Sequence, residues 1–461
     1  MSFFLFTLYI ALNFVRPVEL LAPELGAYRP MLWLWLIAFA AACVEALQQR
    51  RVAASSLHFL LLGGLMLAIA ASQLKQGWLG GAIGSVANFS TSSMLFVLAT
   101  LNLTSSKRLE ATGKVLAASI VAMALLGIVS YHTGWNVDKL VLAQNSYDET
   151  LDPDIGPEAG TAPAQDTSGK YLWRLHALGF LQDPNDFAQA MIVSLPLLLL
   201  GYRAGRRLRN AVVIGLPAAA LLYAIQLTHS RGALVALAAM LFFGARRTLG
   251  LFKTAMLGVV LAVASLAMSF GGGREFSTQE QSAGDRIDAW YAGFMMFKSS
   301  PLFGIGYGNF TDHHDLTAHN SFVLCLAELG LFGYVFWVGM IVIAFIGLQR
   351  ARQKLAVQPA GVPTPELLFL AMVGFLACAW FLSRTYQPTL YLLLALCASA
   401  WYCAVNEEPV AAGQGTAVLR ARAMLQSPWR WPWLRYTVVS MFASVALVQS
   451  FVVASRMSAG G

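Results

Sequence analysis

Apolar residues along this chain arrive in blocks of roughly 17 to 25, set apart by short polar and basic runs. At about 1.5 Å per helical residue, a block of that length crosses roughly 30 Å of hydrocarbon. The blocks predict spanning helices near 3–15, 31–47, 57–72, 83–103, 115–132, 187–202, 210–227, 232–245, 255–271, 321–347, 367–383, 389–404 and 436–455. The expected fold class is an all-α polytopic membrane protein of about 12–13 transmembrane helices with two long loops. The first block, from Phe3 to Val15, lacks a basic leading region and a small-residue cleavage site, so it is expected to be a retained helix rather than a signal peptide.

The blocks group into N-terminal membrane helices (1–132), a long loop (133–186), central membrane helices (187–271), a second long loop (272–320) and C-terminal membrane helices with a basic loop (321–461). Basic clusters fall in alternate connections: Arg50-Arg51, Lys107-Arg108 with Lys114, Arg203 to Arg209, Arg246-Arg247 with Lys253, Arg350 to Lys354, and Arg420 to Arg435. Under the positive-inside rule these lie on the cytoplasmic side with the amino terminus, and both long loops face the opposite side. Composition agrees: 57% of residues are hydrophobic and 12% charged, which excludes an ordinary soluble domain. The net charge of +8 therefore reflects topology, and no nucleic-acid partner is expected. Five cysteines sit in or beside apolar blocks without a CxxC spacing, so helix packing is expected of them rather than a disulfide framework or metal site.

Chemistry should lie where the two long loops meet. Arginine beside a helix end at the outer face is costly unless it works, and Arg174, Arg231, Arg286 and Arg384 stand there. A guanidinium binds phosphate in two-pronged fashion and stays charged at any working pH; the bland alternative is a snorkelling anchor. His319 opens a helix after a long polar loop, where an imidazole titrating near 6.5 could take a proton from a sugar hydroxyl. Asn320 and Ser321, which follow it, are also good capping residues. Asp183, Asn185 and Asp186 stand at a helix start, where capping is the default reading. His313 and His314 with Asp312 and Asp315 read as a solvated loop tip rather than a metal site. Asp152 and Asp154 lie in an acidic stretch away from the side where nucleotide sugars are made. No metal ligand and no cofactor is expected. The run Gly304-Ile305-Gly306-Tyr307-Gly308-Asn309-Phe310 follows no strand, so a turn or close backbone approach explains it better than dinucleotide binding.

Over about residues 170 to 345 these features resemble the O-antigen ligase and polymerase superfamily of bacterial envelope glycan assembly. The resemblance rests on Arg174 with Gly179 and Asp183-Pro184-Asn185, Ser230-Arg231-Gly232, Arg286 with Trp290, and Pro301 to Phe310. It extends to the spacing His319-Asn320, nine residues, Gly330, two residues, Gly333. It implies a glycosyltransferase of the C type in the bacterial inner membrane, with its active site facing the periplasm. Such an enzyme moves a glycan from undecaprenyl diphosphate to an acceptor without a metal and with inversion. The acceptor would be lipid A-core for a ligase of lipopolysaccharide biosynthesis, or a second lipid-linked repeat unit for a polymerase; some relatives glycosylate proteins. By this resemblance Arg231 and Arg286 stabilise the departing diphosphate, His319 is the base, and Arg174, Asn320, Asn185, Asp183 and Arg384 bind substrate. Donor, acceptor and membrane lipids would be the partners. A transporter or flippase is the rival of another class, but transporters place their polar residues near the bilayer midplane rather than at one face.

Overall fold

The computed structural model describes residues 1–49, 51–145, 162–166, 171–246, 250, 277–355, 364–406 and 427–459. In chain order its principal elements are α1 (Ser2–Val15), α2 (Pro30–Gln49), α3 (Ser56–Lys75), α4 (Leu79–Asn102), α5 (Ser106–Thr133), β1 (Val141–Asn145), β2 (Tyr171–Leu175), α6 (Pro184–Leu197), α7 (Leu216–Leu227) and α8 (231–246). They continue with α9 (Ser277–Ser299), α10 (Ser321–Leu355), α11 (Thr364–Ala379), α12 (Pro388–Asn406) and α13 (Trp433–Ala459). Among the described residues eight helices are long and apolar enough to cross a membrane, and the protein is an all-α polytopic membrane protein. The expected span at 255–271 and the residues Asp152 and Asp154 lie outside the described residues. The second long loop contains α9, which takes in the helical spacing seen from Asp285 to Lys298.

The chain divides into two compact units of interleaved sequence. The first comprises 1–49, 107–274 and 359–378. In it α1 packs on α2, and Glu45 of α2 accepts hydrogen bonds from Ser2 and from Arg108 (2.7 Å). α6 is sealed on nearly every side, with Phe187, Met191 and Ile192 fully buried. Gly374 of α11 admits Ile192 and Met240, and Gln189 of α6 donates to the Phe375 carbonyl at 3.1 Å. Pro196 ends the regular α6 helix, which continues as the 3-10 turn Leu198–Gly201. An antiparallel ribbon, β1 with β2, pairs Val141 with Leu175 through to Asn145 with Tyr171. It is anchored where Leu175 of β2 sits against Gly127 of α5.

The second unit comprises 50–106, 275–358 and 379–461, with α10 at its centre. α3, α9, α12 and α13 all pack on α10, and α4 packs on α3 and α12. Small residues allow these approaches: Gly64 of α3 receives Phe336, and Gly339 of α10 receives Leu61. α12 is buried over 83% of its apolar window, so its uniform hydrophobicity faces protein. The window of α13 is only 22% buried, and its exposed Val439, Phe442 and Phe451 suit hydrocarbon.

α10 is broken at Gly330, where φ is 59° and ψ is −164°. A break inside a membrane helix frees backbone groups that no water can satisfy. Residues 301–306 take them up. Ile305 and Gly306 donate to the carbonyls of Ala327 and Glu328 at 3.0 and 3.1 Å, while Leu331 and Phe332 donate to those of Pro301 and Leu302 at 2.9 and 3.0 Å. Gly304, at φ 71°, and Gly330 lie where the two backbones meet: a Cβ on the first would strike the Glu328 backbone, and one on the second the Leu302 carbonyl. Gly330→Ala is therefore expected to destabilise the protein by about 1–3 kcal/mol through backbone strain alone. Gly63→Ala, where nothing stands within 4 Å of the new methyl, should be neutral or gain up to about 1 kcal/mol. Thermal unfolding of both purified variants beside the parent checks this pair.

Candidate functional site

In the first unit the long loop delivers Arg174 on β2. Its Nε donates to the Thr228 carbonyl at 2.9 Å and its Nη2 to Asn185 Oδ1 at 3.1 Å. Asn185 is itself fixed, since Asp183 is the N-cap of α6 and accepts from the Asn185 amide at 2.7 Å, with Pro184 at the first helical position. Arg174 thus ties the start of α6 to the end of α7. Beyond Thr228 the chain turns through His229 at φ 50°, and the Ser230 amide donates to Thr228 Oγ1 at 3.3 Å. Arg231 then opens α8 with an exposed side chain. Burial pushes the His176 imidazole below its ordinary 6.5, outweighing the Ala177 carbonyl and Asp183.

Gly179 has φ 60°, and any Cβ there would run into the Arg16 guanidinium. Arg16 also pairs with Glu19 and lies 5.5 Å from the centre of the Phe180 ring. The arginine that shapes the Gly179 turn therefore comes from the end of α1, and nothing in its sequence surroundings singles it out.

In the second unit His319 precedes α10 with φ 45°, a left-handed conformation uncommon for a residue with a side chain. Asn320 is the cap of α10: it is fully buried, and its Oδ1 accepts from the amides of Phe322 and Val323 at 2.9 and 3.1 Å. Its buried Nδ2 has no hydrogen-bond partner among the described residues. The loop before α12 is stitched to this helix start. Ser321 Oγ donates to the Leu382 carbonyl at 2.6 Å and accepts from the Arg384 amide at 2.8 Å. Thr385 Oγ1 donates to the Ser321 carbonyl at 2.8 Å, and Thr317 Oγ1 to Ser383 Oγ at 2.8 Å. His319, Asn320 and the backbone of Arg384 are brought together by the hydroxyls of Thr317, Ser321 and Thr385, of which only Ser321 carries a signal in the sequence, as a capping residue. Arg286 is half-buried on α9, one turn before the buried Trp290.

The glycine-rich turn at 304–310 is held from two sides. At the end of α3, Ser72 Oγ accepts from the Tyr307 amide at 3.1 Å, and Gln73 Nε2 donates to the Tyr307 carbonyl at 2.6 Å. On α10 the carboxylate of Glu328 accepts hydrogen bonds from the Gly308 and Phe310 amides and from the Tyr386 hydroxyl, the last at 3.0 Å. Burial, with Glu328 beside it, pushes the Tyr307 phenol up to about 12 and raises that of Tyr386 well above its usual value, so both remain protonated donors. His313 Nδ1 donates to the Asn309 carbonyl at 3.0 Å, and His314 Nδ1 accepts the Leu316 amide at 3.1 Å, so both rings are engaged in their own turn. Among the described residues no three His, Cys, Asp or Glu side chains are grouped to hold a metal.

The described geometry separates two kinds of arginine. Replacing Arg174 by Lys offers one ammonium where two acceptors wait, and should cost about 1–3 kcal/mol of stability by leaving a buried acceptor unmet. Arg231→Lys, at an exposed position, should stay within about 0.5 kcal/mol of the parent. Thermal unfolding in detergent distinguishes the two.

Residues 216–338 match the family model of the O-antigen ligase. The matched stretch runs from α7 into α10 and includes Arg231, Arg286, His319, Asn320, Glu328, Gly330 and Gly333. The match covers less than half of the chain, and what it shows is a likeness of this stretch to the O-antigen ligase family. Comparison with curated proteins finds no match.

Proposed function

We propose that this protein is an O-antigen ligase of the bacterial inner membrane, moving a glycan from undecaprenyl diphosphate to lipid A-core at the periplasmic face. The observation that carries the reading is the family match, which encloses Arg231, Arg286 and His319. The half-buried placing of His319, at a helix start whose own amides are capped by Asn320, supports it. With Asn320 doing the capping, the His319 ring is not needed for that task.

The chemistry follows from charge. The acceptor hydroxyl oxygen attacks the anomeric carbon as its proton passes to the His319 imidazole. The bond from that carbon to the diphosphate oxygen breaks, its electron pair leaves with the diphosphate, and the configuration inverts. Negative charge grows on the diphosphate as the bond breaks, so guanidinium groups that bind it more tightly at that moment lower the barrier. Arg231 and Arg286 fill that role, and Arg384, tied to the His319 helix start through Ser321, is a weaker contributor. Arg174 is committed to Thr228 and Asn185, so Arg174, Asp183 and Asn185 serve binding by fixing the turn that presents Arg231. The Asn320 Nδ2 is a donor, suited to a sugar or phosphate oxygen.

The test uses purified protein in lipid with an undecaprenyl-diphosphate-linked repeat unit, chelator, and two acceptors offered separately. Transfer to lipid A-core is expected; lengthening of the lipid-linked glycan instead would make the protein a polymerase, and transfer to neither would overturn the reading. His319→Ala should lower turnover by about 10²–10⁴-fold, the usual worth of a positioned base, while donor binding persists. Arg231→Lys and Arg286→Lys should each impair transfer, because a point charge cannot make the two-pronged contact. Full activity in both would reduce these arginines to interfacial anchors.

A further inference from the structure

Glu328 is a carboxylate only 3% exposed, inside a helix long and apolar enough to cross a membrane, and the proposed transfer reaction gives it no part. An acid there is costly unless its oxygens are fully met, and it persists where it does something. The three donors that meet it come from two different parts of the second unit. The Gly308 and Phe310 amides belong to the glycine-rich turn, and the Tyr386 hydroxyl belongs to the loop that carries Arg384. Glu328 itself stands on the half of α10 that begins at Asn320, two residues before the break at Gly330. Its backbone belongs to the same junction, since its carbonyl accepts the Gly306 amide at 3.1 Å. The rings of Tyr307 and Tyr386 meet with centres 4.5 Å apart, so turn and loop also touch each other.

We propose that Glu328 is a positioning residue: its carboxylate locks the glycine-rich turn and the Arg384 loop onto the helix segment that begins beside His319. The proposal rests on the transfer reaction described above, in which His319 is the base. The two oxygens of a carboxyl group offer enough lone pairs to accept from three donors at once, which no other side chain of this size does. Glutamine keeps the shape but turns one acceptor into a donor, which then faces an N–H or O–H that has lost its partner. The turn and the loop are thereby loosened, while the elements carrying Arg231 and Arg286 keep their own contacts.

The experiment compares the full-length parent, Glu328→Gln, Tyr386→Phe and the double variant in phospholipid nanodiscs. It reads three quantities: glycan transfer, binding of undecaprenyl diphosphate, and amide hydrogen exchange of the peptide spanning 304–310. Glu328→Gln is expected to speed exchange in that peptide at least tenfold with α12 unchanged. It should lower kcat at least tenfold and leave diphosphate affinity within about twofold. Tyr386→Phe should do less, and the double variant no more than Glu328→Gln, since both act through one carboxylate. Unchanged exchange in Glu328→Gln overturns the proposal whatever the activity, and faster exchange with unchanged kcat overturns it as well. If Glu328→Gln does not fold, Tyr386→Phe carries the test: faster turn exchange with lowered kcat supports the proposal, and parent-like values overturn it. A parent protein that transfers no glycan to either acceptor overturns the functional reading instead, and the exchange result then decides the holding role alone.

Discussion

A backbone polar group inside a bilayer has no water to turn to, and the second unit is organised around one place where a helix gives up its own hydrogen bonds. At Gly330 α10 leaves helical geometry, and residues 301–306 supply what the helix no longer does. Two glycines are needed for this, because the backbones approach too closely for any side chain and φ is positive at both. The repair fixes the glycine-rich turn against α10, and the contacts from Ser72, Gln73 and Glu328 then have a rigid partner. The spacing from His319 to Gly330 and Gly333 has a physical reading in these terms. It measures the length of helix between a capped start and a compensated break.

Hydrogen-bond capacity also sorts the charged residues that composition alone makes equal. A guanidinium that already serves two acceptors is a strut, and Arg174 is one: Thr228 and Asn185 hold it between two helix ends. An arginine on an exposed helix start, such as Arg231, is available to a ligand. Arg16 shows the same economy from the other direction, since its guanidinium fills the space a side chain at position 179 would need. Cationic groups near a membrane face can thus be scaffold or site, and the difference lies in what their donors already meet.

The parts of this fold that were legible in the sequence are those governed by length and hydropathy. The spans expected at 57–72, 321–347 and 389–404 lie within α3, α10 and α12, and the C-terminal block at 436–455 lies within α13. Capping chemistry was legible too, because Asp183-Pro184 and Asn320-Ser321 announce helix starts by residue type. The β1–β2 ribbon was not. Its strands are five residues each, stand 25 residues apart and show no alternation strong enough to compete with their surroundings. The work of Arg174 was equally hidden, since a phosphate ligand and a strut need the same side chain. Glu328 did carry a signal, as the one acid within the apolar run that forms the expected span at 321–347, but the sequence could not say what met it.

Two asparagines at helix starts make the same argument at closer range. Asn185 and Asn320 both stand at the start of a buried helix and both were read as substrate contacts by resemblance. The Oδ1 of Asn185 accepts from Arg174, and the Oδ1 of Asn320 accepts from two amides of its own helix. The Asn320 oxygen is thereby filled, while the Asn185 oxygen has met one of the two partners it can accept, and both side chains also carry N–H donors. Donors are also what guanidinium groups offer. A sugar or phosphate oxygen requires such donors, and the buried Asn320 Nδ2, without a hydrogen-bond partner among the described residues, is one.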